Sequence, residues 1–505
     1  MIKKIINNIE NLKIPLTYFL LSFLFIINLR NFLESFSTKN FDLLWQLDEI
    51  LNYNSFYIVL ALSIILLFYL ATKKGLKNIT KIVLTGFTIT LLPPLLDLII
   101  SQGKGLTMTF FVPDIHKNLF SRFFYFFGEM GTCSGSPEML CGITPGIKIE
   151  VLLVLIATFL YFKIKKINLI KNLFFVFLTY SLIFFYFSSI YIIKNIAELL
   201  ELQYKFSYQS TTIFYFIIIF FIGNFLFYTT NKNHFKAILK DIRPLRLLHY
   251  VSLFLMGVFI FNYNKDSFIL IDLFKSISII IAITLAWIYS VITNNIEDQE
   301  IDKITNKNRP LIKESVKLEE YKKIAYLTLS FALIYAGIVG FKFFFLVFLF
   351  IGNYFVYSMP PLRLKKVPFL SKLFIALNSL ITIMMGFLIT NFSLENFPVI
   401  LYPLFLIGFT AVINFIDIKD YKGDKHEGIK TLPVIMGIKK SKFFIGLFFI
   451  TVYSWIFFIF PENNIFILFP FIGFLQFYLI NKKNYQEKYI FITYLLTLVV
   501  FILSM

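Results

Sequence analysis

Two clusters of acidic residues lie where long apolar runs end in the second half of the chain. The members with helical spacing are Asn294, Asp298 and Asp302 in the first cluster, and Asp417, Asp420 and Asp424 in the second. Spacings of three and four residues place side chains on one face of a helix, where like charges destabilise the helix unless a cation lies between them. The two clusters therefore predict a bound metal ion.

The ligand types indicate which metal this is. Carboxylate and amide oxygens, without His or Cys, favour a hard cation, Mg²⁺ rather than Zn²⁺. Because Mg²⁺ in proteins usually keeps several waters and binds one or two carboxylates plus substrate phosphates, the predicted ligand is a phosphate compound. Lys and Arg residues surround both clusters and are suited to hold its remaining oxygens.

The composition identifies the setting of these clusters as a membrane. Of 505 residues, 58% are hydrophobic and 15% are charged, against about 45–50% and about 25% in globular proteins. A soluble protein could not bury that much apolar surface, and the same numbers exclude disordered, collagen-like and disulfide-scaffold classes. The net charge of +19 is typical of basic cytoplasmic loops in a polytopic membrane protein and does not require a nucleic-acid partner.

Apolar runs long enough to be spans recur along the whole chain, which predicts an all-α polytopic protein. The runs are 15–31, 55–72, 82–100, 148–164, 171–193, 211–230, 246–263, 268–292, 324–339, 342–358, 373–391, 398–416, 443–460, 464–480 and 489–504. The basic segment Thr230–Leu247 separates about six runs from nine, so we expect domains at 1–235 and 240–505. The alternation of basic and less basic loops predicts a cytoplasmic N-terminus, both acidic clusters on the cytoplasmic side, and the C-terminus outside.

A diphosphate at the membrane edge, with its tail among the helices, describes a polyprenyl diphosphate, and the motifs around the acidic clusters agree. Asn294, Asn295, Asp298 and Asp302 resemble the first signature, Asn-Asp-x-x-Asp-x-x-x-Asp, of the UbiA family of intramembrane prenyltransferases. The second signature, an aspartate motif followed by Gly and Thr-Leu-Pro, is matched by Asp417, Asp420, Asp424, Gly428, Thr431, Leu432 and Pro433. Between them, residues 357–365 resemble a Tyr-Ser-x-Pro-Pro-x-Arg-x-Lys stretch of many members.

The resemblance covers about residues 240–505 and implies a nine-helix bundle that transfers a prenyl group from its diphosphate to an acceptor in the membrane. The acceptors of the family include aromatic compounds and glycerol-phosphate ethers. The implied catalytic and Mg²⁺-binding residues are Asp298, Asp302, Asp417 and Asp420, with Asn294 and Asp424 as further metal ligands. The candidate diphosphate contacts are Arg363, Lys365, Arg309, Lys303, Lys419 and Lys422. Asn295 departs from the usual Asp, and we expect Asn295→Asp to be tolerated and to lower the Mg²⁺ requirement.

The sequence is also compatible with two other functions. The bundle could belong to a lipid transporter or lipid-binding protein, although the charges cluster at one membrane face, which favours an enzyme. It could also hydrolyse or cyclise the diphosphate without an acceptor. Lys303, Lys419 and Lys422 could serve only the distribution of positive charge across the membrane.

Residues 1–235 contain no motif that we can assign. Their most polar part is the loop at about Ser101–Lys148, which is predicted to lie outside and carries Cys133 and Cys141. In that compartment the two cysteines could form a disulfide or stay free thiols. The half could be an accessory module, a docking module for a partner, or a second enzyme.

Overall fold

The computed structural model describes residues 2–38, 41, 44, 46–106, 119–126, 131–133, 136–141, 143–260, 268–391, 393–426, 428–459 and 464–504. It divides into two compact units, Met1–Thr230 and Asn231–Met505.

The first unit is a helical bundle. Its helices are α1 (Ile2–Asn11), α2 (Leu16–Thr38), α3 (Leu47–Thr72), α4 (Leu76–Gly86), α5 (Leu92–Ile100), α6 (Leu119–Phe124), α7 (Pro145–Ile164), α8 (Leu169–Phe187), α9 (Ser189–Leu199) and α10 (Tyr208–Thr230). A 3-10 helix, Phe87–Leu91, joins α4 to α5. The core is rich in aromatic side chains, and α3 lies at its centre, packed against α4, α8 and α10.

A short antiparallel hairpin interrupts the first unit between α6 and α7. Its strands are β1 (Gly131–Cys133) and β2 (Ser136–Cys141), with Gly131 opposite Cys141. The side chains of Cys133 and Cys141 lie outside the described part of the structure, so the disulfide stays a prediction.

The second unit contains the acidic motifs. Its helices are α11 (Lys232–Asp241), α12 (Pro244–Phe259), α13 (Leu270–Glu297), α14 (Gln299–Thr305), α15 (Leu318–Gly337), α16 (Phe341–Ser358), α17 (Leu370–Thr390), α18 (Leu401–Pro403), α19 (Thr410–Val412), α20 (Tyr421–His426), α21 (Leu432–Met436), α22 (Ile438–Ile459), α23 (Phe469–Asn481) and α24 (Glu487–Ser504). The 3-10 helices are Leu364–Lys366, Ile413–Asp417 and Asn464–Leu468, and Leu404–Phe409 is a π-helix.

Two glycines allow the central helices α12 and α17 to pack with their backbones in contact. A Cβ atom on Gly257 would overlap the carbonyl oxygen of Ile383, and one on Gly386 would overlap that of Phe254. Such small-residue contacts are a usual way to bring membrane helices together, because lipid tails are as apolar as the side chains that they would replace. This close packing fixes the helices that carry His249 and Lys372 relative to one another.

Within the described residues, all fifteen apolar runs lie on helical structure, and the all-α membrane class is confirmed. Among the described residues, ten helices are long and apolar enough to cross a membrane, or eleven if α11 and α12, bent by 68°, form one span. Helices at the other runs fall outside that set, for example α15, which has Glu319, Glu320, Lys322 and Lys323 in its first turns. The numbers of six and nine crossings stay predictions.

Candidate active site

Both acidic motifs face the same pocket in the second unit. The pocket has a volume of about 160 Å³. The motif residues that line it are Asn294, Asp298, Asp302, Asp417, Asp420 and Asp424. Two segments separated by more than a hundred residues therefore place their carboxylates around one space, as a shared ligand would require.

The backbone of the two motifs is less regular than the spacing suggested. In the first motif, α13 ends at Glu297 and α14 begins at Gln299, so that Asp298 lies at the junction of two helices. In the second, a 3-10 helix ends at Asp417, a turn follows, and α20 begins at Tyr421. The carboxylates still converge, because a residue three positions on in a 3-10 turn returns to nearly the same face.

Asp298 is paired with two basic side chains from the segment after α16. The Lys365 ammonium forms a very short contact with Oδ1 of Asp298, and Nη2 of Arg363 donates to the same oxygen at 3.0 Å. Arg363 also lies 3.5 Å from Glu297. Burial lowers the pKa of Lys365. The segment after α16 therefore supplies the basic groups next to Asp298. Of these two groups, Lys365 lines the pocket, whereas Arg363 contacts Asp298 from outside it.

Asp417 has an equivalent partner that the sequence interpretation missed. Nζ of Lys372, in the first turn of α17, donates to Oδ1 of Asp417 at 2.6 Å, and both side chains are almost fully buried. Lys372 also lines the pocket. A lysine at the start of an otherwise apolar run was the available signal, because a buried charge in a membrane helix usually has a functional partner.

A third group of contacts surrounds Asp302. Nε of Arg309 lies 3.7 Å from Oδ2 of Asp302, while its Nη1 donates to Asp241 at 2.5 Å. Arg243 and Arg246, from the start of α12, also line the pocket, and Arg246 pairs with Glu487 at 3.2 Å. In the sequence, Arg243 is only one member of the basic segment Thr230–Leu247, because its proximity to the motifs depends on tertiary packing.

The carboxylates of the pocket have properties that suit a divalent cation. Oδ2 of Asp302 and Oδ2 of Asp417, one from each motif, are buried and have no hydrogen-bond partner in the described structure. Burial, together with Asp417 and Asp420, raises the pKa of Asp424 to about 7, and burial also raises the pKa of Asp302 and Asp420. Crowded carboxylates in a dry site are stabilised by a positive charge between them.

The donor set fits Mg²⁺ bound together with a substrate. Within the described ranges no three His, Cys, Asp or Glu side chains are close enough to hold a metal ion alone. Mg²⁺ typically takes only one or two carboxylates and completes its coordination with phosphate oxygens and water. Oδ2 of Asp302 and Oδ2 of Asp417, which accept no hydrogen bond from any described residue, are suited to be such ligands, with a diphosphate to supply the others.

Two predicted phosphate contacts lie away from the pocket. Lys303 pairs with Glu300 at 2.6 Å and its side chain is 57% exposed. Lys422 is exposed on α20 and does not line the pocket. Both follow the acidic motifs closely in sequence, but each side chain extends to the surface, which corrects their assignment. Lys419 does line the pocket, where it forms a very short contact with Glu487.

Asn295 also lies outside the pocket, which corrects our expectation that it adjoins the metal. Its side chain is 1% exposed, and its amide nitrogen donates to Asp241 and, at 3.1 Å, to the Tyr321 hydroxyl. Its carbonyl oxygen accepts from Arg243 at 3.3 Å. Because Asp241 already supplies a carboxylate here, position 295 needs a donor, which Asn provides and ionised Asp does not.

Aromatic side chains form one wall of the pocket. Tyr250, Trp287, Tyr354 and Tyr357 all line it. The rings of Tyr250 and Trp287 lie 5.6 Å apart, and those of Tyr354 and Tyr357 lie 6.2 Å apart. The lining of the pocket thus combines carboxylates and cations with aromatic rings.

The fold and the pocket define an integral membrane protein whose second unit is a helical bundle with a buried, doubly acidic site. Residues 254–498 match the model of the UbiA prenyltransferase family. The assignment made from the two motifs is confirmed. No family model matches the N-terminal half.

Curated relatives of this part are prenyltransferases. The chain is 32% identical over 164 residues to digeranylgeranylglyceryl phosphate synthase of Pyrococcus horikoshii, which is 32% of this chain and 57% of that protein. It is 31% identical over 172 residues to homogentisate phytyltransferase of Synechocystis, covering 31% of this chain and 53% of the relative. The chain thus spans little more than half the length of these relatives.

Solved structures also resemble this chain. A UbiA homologue from Archaeoglobus fulgidus bound to GPP and Mg²⁺ has 18% identity and a TM-score of 0.44, covering 53% of this chain and 97% of that one. The same homologue bound to DMAPP and Mg²⁺ has 19% identity and a TM-score of 0.44.

Proposed function

We propose that the second unit, about residues 240–505, transfers a prenyl group from a polyprenyl diphosphate to an acceptor in the membrane, with Mg²⁺ as cofactor. The observation that carries this proposal is the single pocket in which both acidic motifs, each paired with a buried lysine, face an aromatic wall. The names of the curated relatives, all prenyl-transferring enzymes, support the reaction type.

The acidic residues would hold the metal. Asp298 and Asp302 from the first motif and Asp417 and Asp420 from the second are the ligands that we assign, with Asn294 and Asp424 beside them. When bound, Mg²⁺ would neutralise negative charge on the diphosphate as it leaves. The carboxylates of Asp298 and Asp417 form ion pairs with Lys365 and Lys372.

The basic residues would hold the diphosphate oxygens that the metal leaves free. Lys365 and Lys372 lie next to the carboxylates that we assign to the metal, so that each is placed to turn from its aspartate to a phosphate oxygen. Arg309 and Arg246 line the same pocket with fixed guanidinium groups, which suit bidentate phosphate contacts. These donors would stabilise the charge that develops when the allylic C–O bond breaks.

The aromatic wall would protect the other product of that bond cleavage. An allylic cation reacts with water unless water is kept out, and ring faces stabilise positive charge by about 0.5–2 kcal/mol each. Tyr250, Trp287, Tyr354 and Tyr357 are placed for both tasks, because they line the same pocket as the carboxylates. The electron-rich carbon or oxygen of the acceptor would then attack the shielded cation and lose a proton.

We further propose that the pocket opens to the cytoplasm and that the N-terminus lies on the same side, with the C-terminus outside. Cysteines placed at the exposed positions Lys307 and Lys425, in a variant without native cysteines, should resist an impermeant thiol reagent in intact cells. A cysteine at the exposed Glu395 should be labelled. Labelling at Lys307 and Lys425, with protection at Glu395, would invert this topology.

The enzymatic proposal is tested by analysing the products formed from a radiolabelled polyprenyl diphosphate by purified protein with a membrane lipid extract, with and without Mg²⁺. We expect the label to appear in a new lipid and diphosphate to be released, both only with Mg²⁺. Release of diphosphate with a prenyl alcohol or cyclised product alone would show a hydrolase or cyclase. Binding without any turnover would favour the alternative of a lipid-binding or transport protein.

A further inference from the structure

The first unit contains a cavity, open on one side, that the proposed reaction does not use. Its volume is about 280 Å³, and most of its lining is apolar. One face of α7 runs along it, formed by Glu150, Val154, Ala157, Thr158 and Tyr161. From Glu150 to Tyr161 this face extends about 16 Å at 1.5 Å per residue, so the cavity is elongated along the helix.

The two ends of the cavity differ. Near Tyr161 it is bounded by Ile6 and Ile9 of the amphipathic helix α1. This helix is fastened by Glu10, which accepts hydrogen bonds from the Tyr161 hydroxyl at 3.0 Å and from Lys165 at 2.5 Å. At this end the polar groups are therefore satisfied by one another, and the side chains that face the space are aliphatic and aromatic.

The opposite end contains a buried carboxylate without a donor. Glu150 is 9% exposed, lines the cavity, and accepts no hydrogen bond from any residue that the structure describes. Tyr57 also lines the cavity and is 4% exposed, and its hydroxyl forms no hydrogen bond with any described residue. Buried polar groups normally have a partner, and a carboxylate in a membrane protein marks a functional site by default.

The charges around this end select the type of partner. Arg30, whose guanidinium carbon lies 5.6 Å from the centre of the Tyr57 ring, is bound to Glu34 at 2.5 Å. Asp97, the third carboxylate within electrostatic range of Glu150, accepts hydrogen bonds from Thr144 and Gly146. Three carboxylates thus face one arginine. An anionic head group would be repelled, whereas a hydrogen-bond donor would satisfy Glu150.

We propose that this cavity binds a single-chain amphiphile whose head donates hydrogen bonds to Glu150 and carries no negative charge, with its chain directed along α7 toward α1. A cavity of about 150 Å³ accommodates a six-carbon ring, so about 280 Å³ accommodates a chain of roughly ten carbons. The ligand would enter from the bilayer. This site is independent of the transferase pocket and would bind without Mg²⁺ or a prenyl diphosphate.

The test uses the full-length protein in phosphatidylcholine nanodiscs, without Mg²⁺ or diphosphate, and a 1-decanol analogue with a photoreactive diazirine in its chain. Cross-linked positions are mapped by mass spectrometry, with unlabelled 1-decanol or decyl phosphate as competitors. We expect labelling along α7 and α3, and competition by 1-decanol at a concentration about tenfold lower than by decyl phosphate. Labelling confined to lipid-facing positions, or equal competition by both compounds, would overturn the proposal.

Two variants separate the chain site from the head site. Ala157→Trp fills the cavity and should abolish the competable labelling. Glu150→Leu keeps the apolar space, so labelling should persist while the tenfold preference for the alcohol falls to threefold or less. Glu198→Leu, an exposed glutamate on α9, is the matched control and should retain both. If Ala157→Trp does not elute as folded protein, the test rests on Glu150→Leu alone. An unchanged preference of that variant for 1-decanol over decyl phosphate would refute the role of Glu150.

Discussion

Replacing Asn295 by aspartate should destabilise the second unit, although it would bring the first motif closer to the family pattern. The side chain is almost fully buried, and its amide nitrogen donates to Asp241. An aspartate would remove that donor and place two carboxylates in contact. At about 3 Å and an effective dielectric constant of about 20, their repulsion is about 5 kcal/mol. Arg243 and Arg309 offset part of it, which leaves a destabilisation of about 2–4 kcal/mol.

The assay for this prediction is thermal unfolding of the purified protein in one detergent. Asn295→Asp should lower the melting temperature by about 5–10 °C. Asn294→Asp is the matched control, because Asn294 faces the pocket and its Oδ1 accepts from the Ser358 hydroxyl at 3.0 Å, a bond that a carboxylate keeps. It should shift the melting temperature by less than about 2 °C. A stable Asn295→Asp variant with a lower Mg²⁺ requirement would refute our placement of this side chain.

Two further predictions concern the pocket and its support. Lys365→Met should raise the KM for the prenyl diphosphate by about tenfold or more in steady-state kinetics, because it removes a buried phosphate donor. Lys303→Met, which changes an exposed side chain, should leave kcat and KM unchanged. Gly386→Ala should destabilise the protein by about 1–3 kcal/mol because its Cβ would overlap the backbone of α12, while Gly352→Ala, with open space around it, should not lower the melting temperature.

The acidic motifs could be predicted from sequence because their chemistry is local. The acidic residues stand out because they are charged and lie at the ends of apolar runs, where ordinary spans avoid charge. They are Asp298, Asp302, Asp417 and Asp420. We expected the two motifs to share one ligand because both have the residue types of a metal site, and not because the sequence indicated that they are close in space. The predicted continuous helices were less accurate, since helix breaks at Asp298 and after Asp417 depend on tertiary packing that overrides periodicity.

Other contacts of the site could not be predicted because they join residues that are distant in sequence. Lys372 meets Asp417 across 45 positions and Arg309 meets Asp241 across 68. Asp241 and Lys303 are both charged residues beside helix ends, yet one is buried at the centre of a network and the other is exposed. Of the predicted phosphate contacts, Lys365, Arg309 and Lys419 line the pocket, whereas Lys303 and Lys422 are exposed. The carboxylates of both motifs also line the pocket, and their role as metal ligands stays a prediction.

The central claim, that carboxylates from both motifs serve one Mg²⁺-dependent reaction, is tested most directly by prenyl transfer in Asp298→Ala and Asp417→Ala, each measured over a Mg²⁺ titration. Glu300→Ala, which removes an exposed carboxylate beside the first motif, is the matched control. We predict that each aspartate variant inserts into membranes normally but loses transfer at every Mg²⁺ concentration, and that the control keeps wild-type activity. Full transfer activity in either aspartate variant would contradict the account.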